Sequence, residues 1–201
     1  MRVTIFDYGA GNMHSLAKAI GTAGVTVSVE PDPARAADTD VLVLPGVGAF
    51  GAAARQLAPG RESMRSALRD GLPCLGICLG MQLLFDDSEE NDGSAAGLGL
   101  IAGHVTRLRS RRVPQIGWNT IDDAGDPLLD AAPLAYAYYA NGYVCRPDDA
   151  PSVARAWSTH DGDRFPAIVR AGRTVGVQFH PEKSSMPGLR FIHAFLDGSR
   201  S

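Results

Sequence analysis

Gly76-Ile77-Cys78-Leu79-Gly80 decides how this chain is read. It follows Cys74 to Ile77, a short apolar run that reads as a buried strand, and precedes Leu79 to Phe85, which reads as a helix. A strand that bends sharply into a helix, with a small residue on each side of a nucleophile, is the G-x-nucleophile-x-G elbow, here with cysteine at its centre. The bend lifts the side chain clear of the sheet, and glycines are needed because the chain packs on itself there. A helix start offers free N–H groups and a positive dipole end, which favour the thiolate, the reactive form of cysteine. The Leu79 N–H, next after the sulfur, can bind a developing oxyanion. The plainer reading is a core cysteine, a role that fits Cys74 in mid-strand and Cys145 in a later β segment.

Upstream of the elbow, strand-like and helix-like segments alternate. Val3 to Phe6, Val25 to Val29 and Val41 to Leu44 read as strands; Leu16, Ala19, Ile20 and Ala23 recur at helical spacing, and a helix is expected over Glu62 to Asp70. Pro31-Asp32-Pro33 reads as a turn. Downstream, Asp86 to Gly99 is polar and acidic and reads as a surface loop. Strands are then expected at Ile101–Leu108, Trp118–Ile121, Tyr136–Cys145, Ala154–Thr159, Ala167–Arg170 and Thr174–Phe179, with hairpin turns at Asp161-Gly162 and Ala171-Gly172 and a last helix over Leu189 to Leu196. The expectation is an α/β fold: one domain over residues 1–201, a mostly parallel central sheet flanked by helices, and added antiparallel strands in the second half.

Length and composition fit that picture. The chain has 201 residues, 45% of them hydrophobic and 20% charged, with a formal net charge of −3. The charge argues against a general nucleic-acid binder. The opening apolar stretch stops at Asp7, too soon for a signal-peptide core, and no run reaches the ~18 residues of a membrane span. Three cysteines at irregular positions, with no secretory signal, point to a reduced cytoplasmic setting.

A base for the sulfur is offered by Gln178-Phe179-His180-Pro181-Glu182. In extended chain, residues two apart face the same side, so His180 and Glu182 can approach one site, with Pro181 stiffening the geometry. Histidine exchanges protons near neutral pH, and a carboxylate on its far nitrogen fixes the tautomer. Taken alone the segment reads as ordinary surface residues at a strand end; with a cysteine elbow upstream it reads as a triad. His14, His104, His160 and His193 show no metal-ligand spacing, and no metal or cofactor is expected. Pro45-Gly46-Val47-Gly48 is a glycine-rich turn after a strand. It lacks the P-loop lysine of a phosphate cradle and is read as a tight turn or as half of an oxyanion hole.

Over nearly its whole length the chain resembles the class I glutamine amidotransferases. Within them it is most similar to the glutaminase subunits of imidazole glycerol phosphate synthases. The resemblance is carried by Asp7-Tyr8-Gly9-Ala10-Gly11-Asn12, Pro45-Gly46-Val47-Gly48, Gly76-Ile77-Cys78-Leu79-Gly80-Met81-Gln82, Leu108 to Pro114, Gly117-Trp118-Asn119 and Gly176 to Ser184. It implies that Cys78 attacks the glutamine carboxamide, that His180 handles protons, and that Glu182 orients His180. The N–H groups of Val47 and Leu79 would form the oxyanion hole, completed by a peptide reorientation in Gly46-Val47-Gly48. Gln82 and the Asn141-Gly142-Tyr143 backbone would hold glutamine. Pro114-Gln115-Ile116 stands where the family commonly has Pro-His-Met, and Asn141-Gly142 where it often has His-Ser or His-Thr.

Free ammonia in water protonates and loses nucleophilicity, so an amidotransferase must deliver it by a sheltered path. A barrel of ~250 residues does not fit in this chain, and the resemblance implies a separate (β/α)8 cyclase subunit as partner in a heterodimer. The contacts it suggests are Asn12, Arg109, Arg111, Trp118, Asn119 and Lys183, the only other lysine being Lys18. Arg107 to Arg112 also reads as a solvated hairpin. Three rival readings stand beside this one: a paralogue feeding another acceptor, a stand-alone cysteine hydrolase, and a non-catalytic regulatory subunit.

Overall fold

Val41–Leu44 and Cys74–Ile77 are apolar at every position, so each must be covered on both faces, and the rest of the chain is arranged to do that. The computed structural model describes residues 1–9, 13–90 and 95–200. In chain order its elements are β1 (Arg2–Phe6), α1 (His14–Gly21), β2 (Thr26–Glu30), α2 (Pro33–Ala36), β3 (Val41–Leu44), α3 (Phe50–Leu57), α4 (Arg61–Arg69), β4 (Cys74–Ile77) and α5 (Leu79–Gln82). There follow β5 (Asp87–Ser88), β6 (Gly103–Arg107), β7 (Gln115–Thr120), α6 (Pro127–Ala131), β8 (Tyr136–Asn141) and β9 (Tyr143–Pro147). The chain ends with α7 (Ala150–Val153), β10 (Ala154–His160), β11 (Asp163–Ala171), β12 (Thr174–Val177) and α8 (Ser185–Gly198).

The main sheet has seven strands in the order β10-β11-β12-β4-β3-β1-β2. From β12 to β2 the strands run parallel, while β10 and β11 add an antiparallel edge. Alternate side chains serve opposite layers. Val41, Val43, Leu75 and Ile77 join the core made with α1 and α8. Leu42, Leu44 and Cys74 join the one made with α3 and α4. β7 and β8 form a separate two-stranded ribbon, and β5-β6-β9 a small third sheet. No helix among the described residues is long and apolar enough to cross a membrane.

Several expectations need correction. Tyr136–Cys145 is two strands that part at Gly142: β8 pairs with β7, and β9 with β6. Pro31-Asp32-Pro33 is the start of α2, where Asp32 accepts from the N–H groups of Ala34 and Arg35 at 2.9 and 3.1 Å and Pro33 takes the first turn. The helix expected over Leu79 to Phe85 ends at Gln82, and the one at Leu189 begins at Ser185. The loop expected at Asp86–Gly99 contains β5, and its residues 91–94 lie outside the described residues. Asp161-Gly162 forms the expected two-residue hairpin, both residues at positive φ (48° and 86°), whereas the next turn is Gly172-Arg173, one residue further on.

Candidate active site

Cys78 stands between β4 and α5 at φ 48°, ψ −103°, a backbone conformation that costs a non-glycine residue energy and persists only where its surroundings impose it. The surroundings here are backbone atoms. A Cβ on Gly76 would lie 2.7 Å from the Gly80 carbonyl oxygen, and one on Gly80 would lie 2.0 Å from the Leu44 carbonyl oxygen. The two glycines let α5 press onto β4 and β3, and the Cys78 N–H is held by the Val177 carbonyl at 2.7 Å. α5 has only four residues, so its macrodipole is much smaller than the sequence suggests.

β12 lies parallel to β4 with Gly76 opposite Gly176 and Ile77 opposite Val177, which carries the following residues past the sulfur. Gln178 is fully buried, and its Nε2 donates to Cys78 Sγ at 3.5 Å. Two residues on, His180 is tied to the β7–β8 ribbon. Its N–H donates to the Tyr138 carbonyl at 2.8 Å. The buried Ser184 hydroxyl donates to the His180 carbonyl at 2.7 Å and accepts from the Tyr138 N–H at 2.9 Å. His180 Nδ1 meets Glu182 Oε1 at 2.8 Å. Glu182 arrives there on a 3-10 turn, Pro181–Lys183, and not by the extended alternation the sequence suggests; Gly188 lets α8 seat against that turn, since a Cβ there would be 2.1 Å from the Pro181 carbonyl oxygen. Replacing Ser184 with Ala strips the Tyr138 N–H of its buried partner and leaves the His180 carbonyl only the Lys183 N–H at 3.1 Å. The expected result is a loss of roughly 1–3 kcal/mol in denaturant unfolding. An unfolding midpoint equal to that of the unaltered chain would contradict the clamp.

Gly46 sits between the side chains of Cys78 and His180. A Cβ there would be 2.8 Å from His180 Cε1 and 3.0 Å from both Cys78 Cβ and the Ile77 carbonyl oxygen. Burial opposes a charge on the His180 ring, but hydrogen bonds and charge interactions with Cys78 and Glu182 outweigh it, and its pKa is pushed up to about 9. At neutral pH this histidine therefore carries the proton. Gly48, at φ 106°, completes the loop beside them, and a cavity of about 240 Å³ opens from Gly46 and Val47 past Glu182 to Lys183 and Met13.

The remaining site residues fall into two groups. Gln82 Nε2 and Asn141 Nδ2 both donate to the Tyr143 carbonyl at 3.1 Å, and Gly142 accepts from the Leu108 N–H at 2.9 Å, so these residues first of all hold one another. The Asn141, Gln115 and Gln178 side-chain carbonyl oxygens and Glu182 Oε2 are buried without a partner. On the outside, Trp118 is 56% exposed, while Asn119 Nδ2 donates to the Thr159 carbonyl at 3.0 Å and ties the ribbon to β10. Arg109 and Arg111 are exposed, on a loop held to the β10–β11 turn through Asp161 and Asp163. Asn12 lies outside the described residues. Gln178 and Ser184 are functional neighbours that the sequence expectations do not include; the two-residue alternation that pairs His180 with Glu182 is the local signal that also puts Gln178 on the His180 side.

A family model described as glutamine amidotransferase class-I matches residues 4–197. The imidazole glycerol phosphate synthase subunit HisH of Halobacterium salinarum is 42% identical over 203 residues, covering 97% of this chain and 92% of that protein. A protein of the same name from Thermus thermophilus is 42% identical over 196 residues, covering 96% and 95%. Among solved structures, one described as a glutamine amidotransferase matches with a TM-score of 0.76 at 17% identity over 99% of both chains. PurLQS from Thermotoga maritima matches at 0.71 and 19% over 98% of both. At those identities the solved structures speak for the fold.

Proposed function

The chain belongs to the class I glutamine amidotransferase family, and on that premise we propose that it is the glutaminase subunit of an imidazole glycerol phosphate synthase, acting in histidine biosynthesis, with residues 1–201 as one amidotransferase unit. The observation that carries the chemistry is His180, hydrogen-bonded to Glu182 at 2.8 Å and charged at neutral pH by its contacts with Cys78 and Glu182. The Cys78 sulfur attacks the carboxamide carbon of glutamine, and the oxyanion is held by the N–H groups of Val47 and Leu79. The C–N bond breaks as His180 gives its proton to the departing nitrogen, leaving ammonia and a γ-glutamyl thioester. Neutral His180 then takes a proton from water; the hydroxide adds to the thioester, the C–S bond breaks, and glutamate leaves. Glu182 keeps the ring oriented through both half-reactions. Gly46, Gly48, Gln82, Asn141, Gly142 and Tyr143 form the walls that receive glutamine.

The relatives are named as subunits, and the reading includes a partner: a (β/α)8 cyclase that uses the ammonia to make imidazole glycerol phosphate and aminoimidazole carboxamide ribonucleotide. The complex is read as a cytoplasmic heterodimer. Its docking surface is the outer face of the β7–β8 ribbon, where Ile116 (69%), Trp118 (56%) and Tyr136 (61%) are exposed, near Met186 at the start of α8 (61%). Apolar side chains exposed together are costly unless covered. Lys183, Arg109, Arg111 and Asn12 complete the contacts proposed, with Asn119 stiffening the ribbon behind them. Trp118→Ala is expected to weaken binding of the cyclase by about 2 kcal/mol or more, roughly thirtyfold in Kd, by titration calorimetry. An unchanged Kd removes the ribbon from the interface.

Glutamate release by this chain, measured alone and then with the cyclase and its nucleotide, tests the assignment. Slow release alone and a large rise in the loaded complex are expected. Full activity without the partner would favour a stand-alone hydrolase; activation by a different barrel would move the chain to another pathway.

A further inference from the structure

We propose that the side-chain amide of Gln178 is a catalytic hydrogen-bond donor that holds the Cys78 thiolate in its attacking position. The inference rests on Cys78 being the nucleophile. Gln178 has no exposed surface, and its Nε2 is 3.5 Å from Sγ. Its Oε1 is buried and unpartnered, so the side chain bears the desolvation of an amide and uses it on the sulfur. Packing does not ask for an amide here, because the residue is already fixed through its backbone, whose N–H donates to the Ala167 carbonyl at 2.9 Å.

The contacts around the sulfur are unequal. In the thiol form, S–H points to the Ala140 carbonyl at a long 3.9 Å. When the proton moves from Sγ to the His180 ring, that contact loses its hydrogen and sets a carbonyl dipole against a negative sulfur. The Gln178 N–H bond then becomes charge-assisted and strengthens. With α5 only four residues long, little helix dipole is available for the same task. His180 and, through it, Glu182 are the charged groups facing the sulfur. Tyr8, following β1, and Cys145, on β9, also feel it, and burial pushes both well up, so they stay neutral across the working range.

The test follows carbamidomethylation of Cys78 by iodoacetamide against pH in the full chain, read by peptide mass. Gln178→Met keeps length and removes the donor. It is expected to raise the alkylation midpoint by about one pH unit, the size of a hydrogen bond to a charged group. In the complex it should lower kcat for glutamate release about tenfold and leave KM for glutamine within about twofold. Gln178→Glu should raise the midpoint further. In the unaltered chain, the Gln178 side-chain amide proton resonance should titrate with the same midpoint, which decides the matter should neither variant fold. A midpoint that stays or falls in the variants, or an amide resonance indifferent to the sulfur's charge, overturns the proposal. Retention of glutaminase activity by Cys78→Ala would instead overturn the nucleophile assignment beneath it.

Discussion

Cys78→Ala is expected to end glutamine hydrolysis, with a fall on the order of 10⁴-fold or more in kcat, the scale seen when a covalent nucleophile is removed. Synthesis from added ammonium salt by the complex should persist at the rate of the unaltered enzyme, because that reaction needs only the acceptor site. The asymmetry is the informative part. Alanine at 78 fits the space and removes only the sulfur, and Gly76, Gly80 and the Val177 carbonyl continue to hold the bend. Release of strain at φ 48° does not follow, since alanine is no more at ease there than cysteine. Assays of glutamate and of the cyclised product, run side by side, read the two outcomes. Equal loss of both would mean that the site around Cys78 supports the acceptor reaction structurally and does not supply its ammonia.

The second large effect is structural. Gly80→Ala would put a methyl 2.0 Å from the Leu44 carbonyl oxygen and 2.6 Å from its carbon. Those atoms belong to β3, hydrogen-bonded to β1 on one side and β4 on the other, so the neighbour cannot yield. α5 must lift instead, taking the Leu79 N–H and the Cys78 bend with it. A penalty at or above the usual 1–3 kcal/mol of overpacking is expected. At about 3 kcal/mol that lowers Tm by roughly 6–12 °C for a chain of this size, with loss of glutaminase activity. Gly142→Ala is the control. Its nearest neighbour to a new Cβ is Val113 Cγ1 at 3.5 Å, ordinary contact, and it should melt with the unaltered chain. Scanning calorimetry on the pair separates a general intolerance of added methyls from this collision.

What could be read before the structure was whatever depended on neighbours in sequence. β3 and β4 announce themselves as unbroken apolar runs, and Asp161-Gly162 supplies the two positive φ values a tight hairpin needs. Cys78, flanked by glycines, could be placed on a bend from five residues. α3 was also legible, though absent from the expectations above: Phe50, Ala53, Ala54 and Leu57 recur at helical spacing just after the glycine loop and are buried together. The parting of β8 from β9 had only Asn141-Gly142, a turn signal inside an otherwise β-rich run, to mark it. Burial alternates only over Tyr136–Asn141, and the choice of partners, β7 for one strand and β6 for the other, completes the division. Contacts of that kind, like those of Ser184 with Tyr138 and Gln178 with Cys78, join residues far apart in the chain, and local preference says nothing about them.

β12 sits between β4 and β11, although β4 is made almost a hundred residues earlier. While the chain is emerging from the ribosome, β4 therefore keeps one bare hydrogen-bonding edge until Thr174–Val177 arrives to cover it, an edge of the kind that invites aggregation and chaperone attention. The same insertion brings His180 to the sulfur. Translation that stops short of it leaves a nascent chain that is both sticky and inert, and completion cures the two defects in one step.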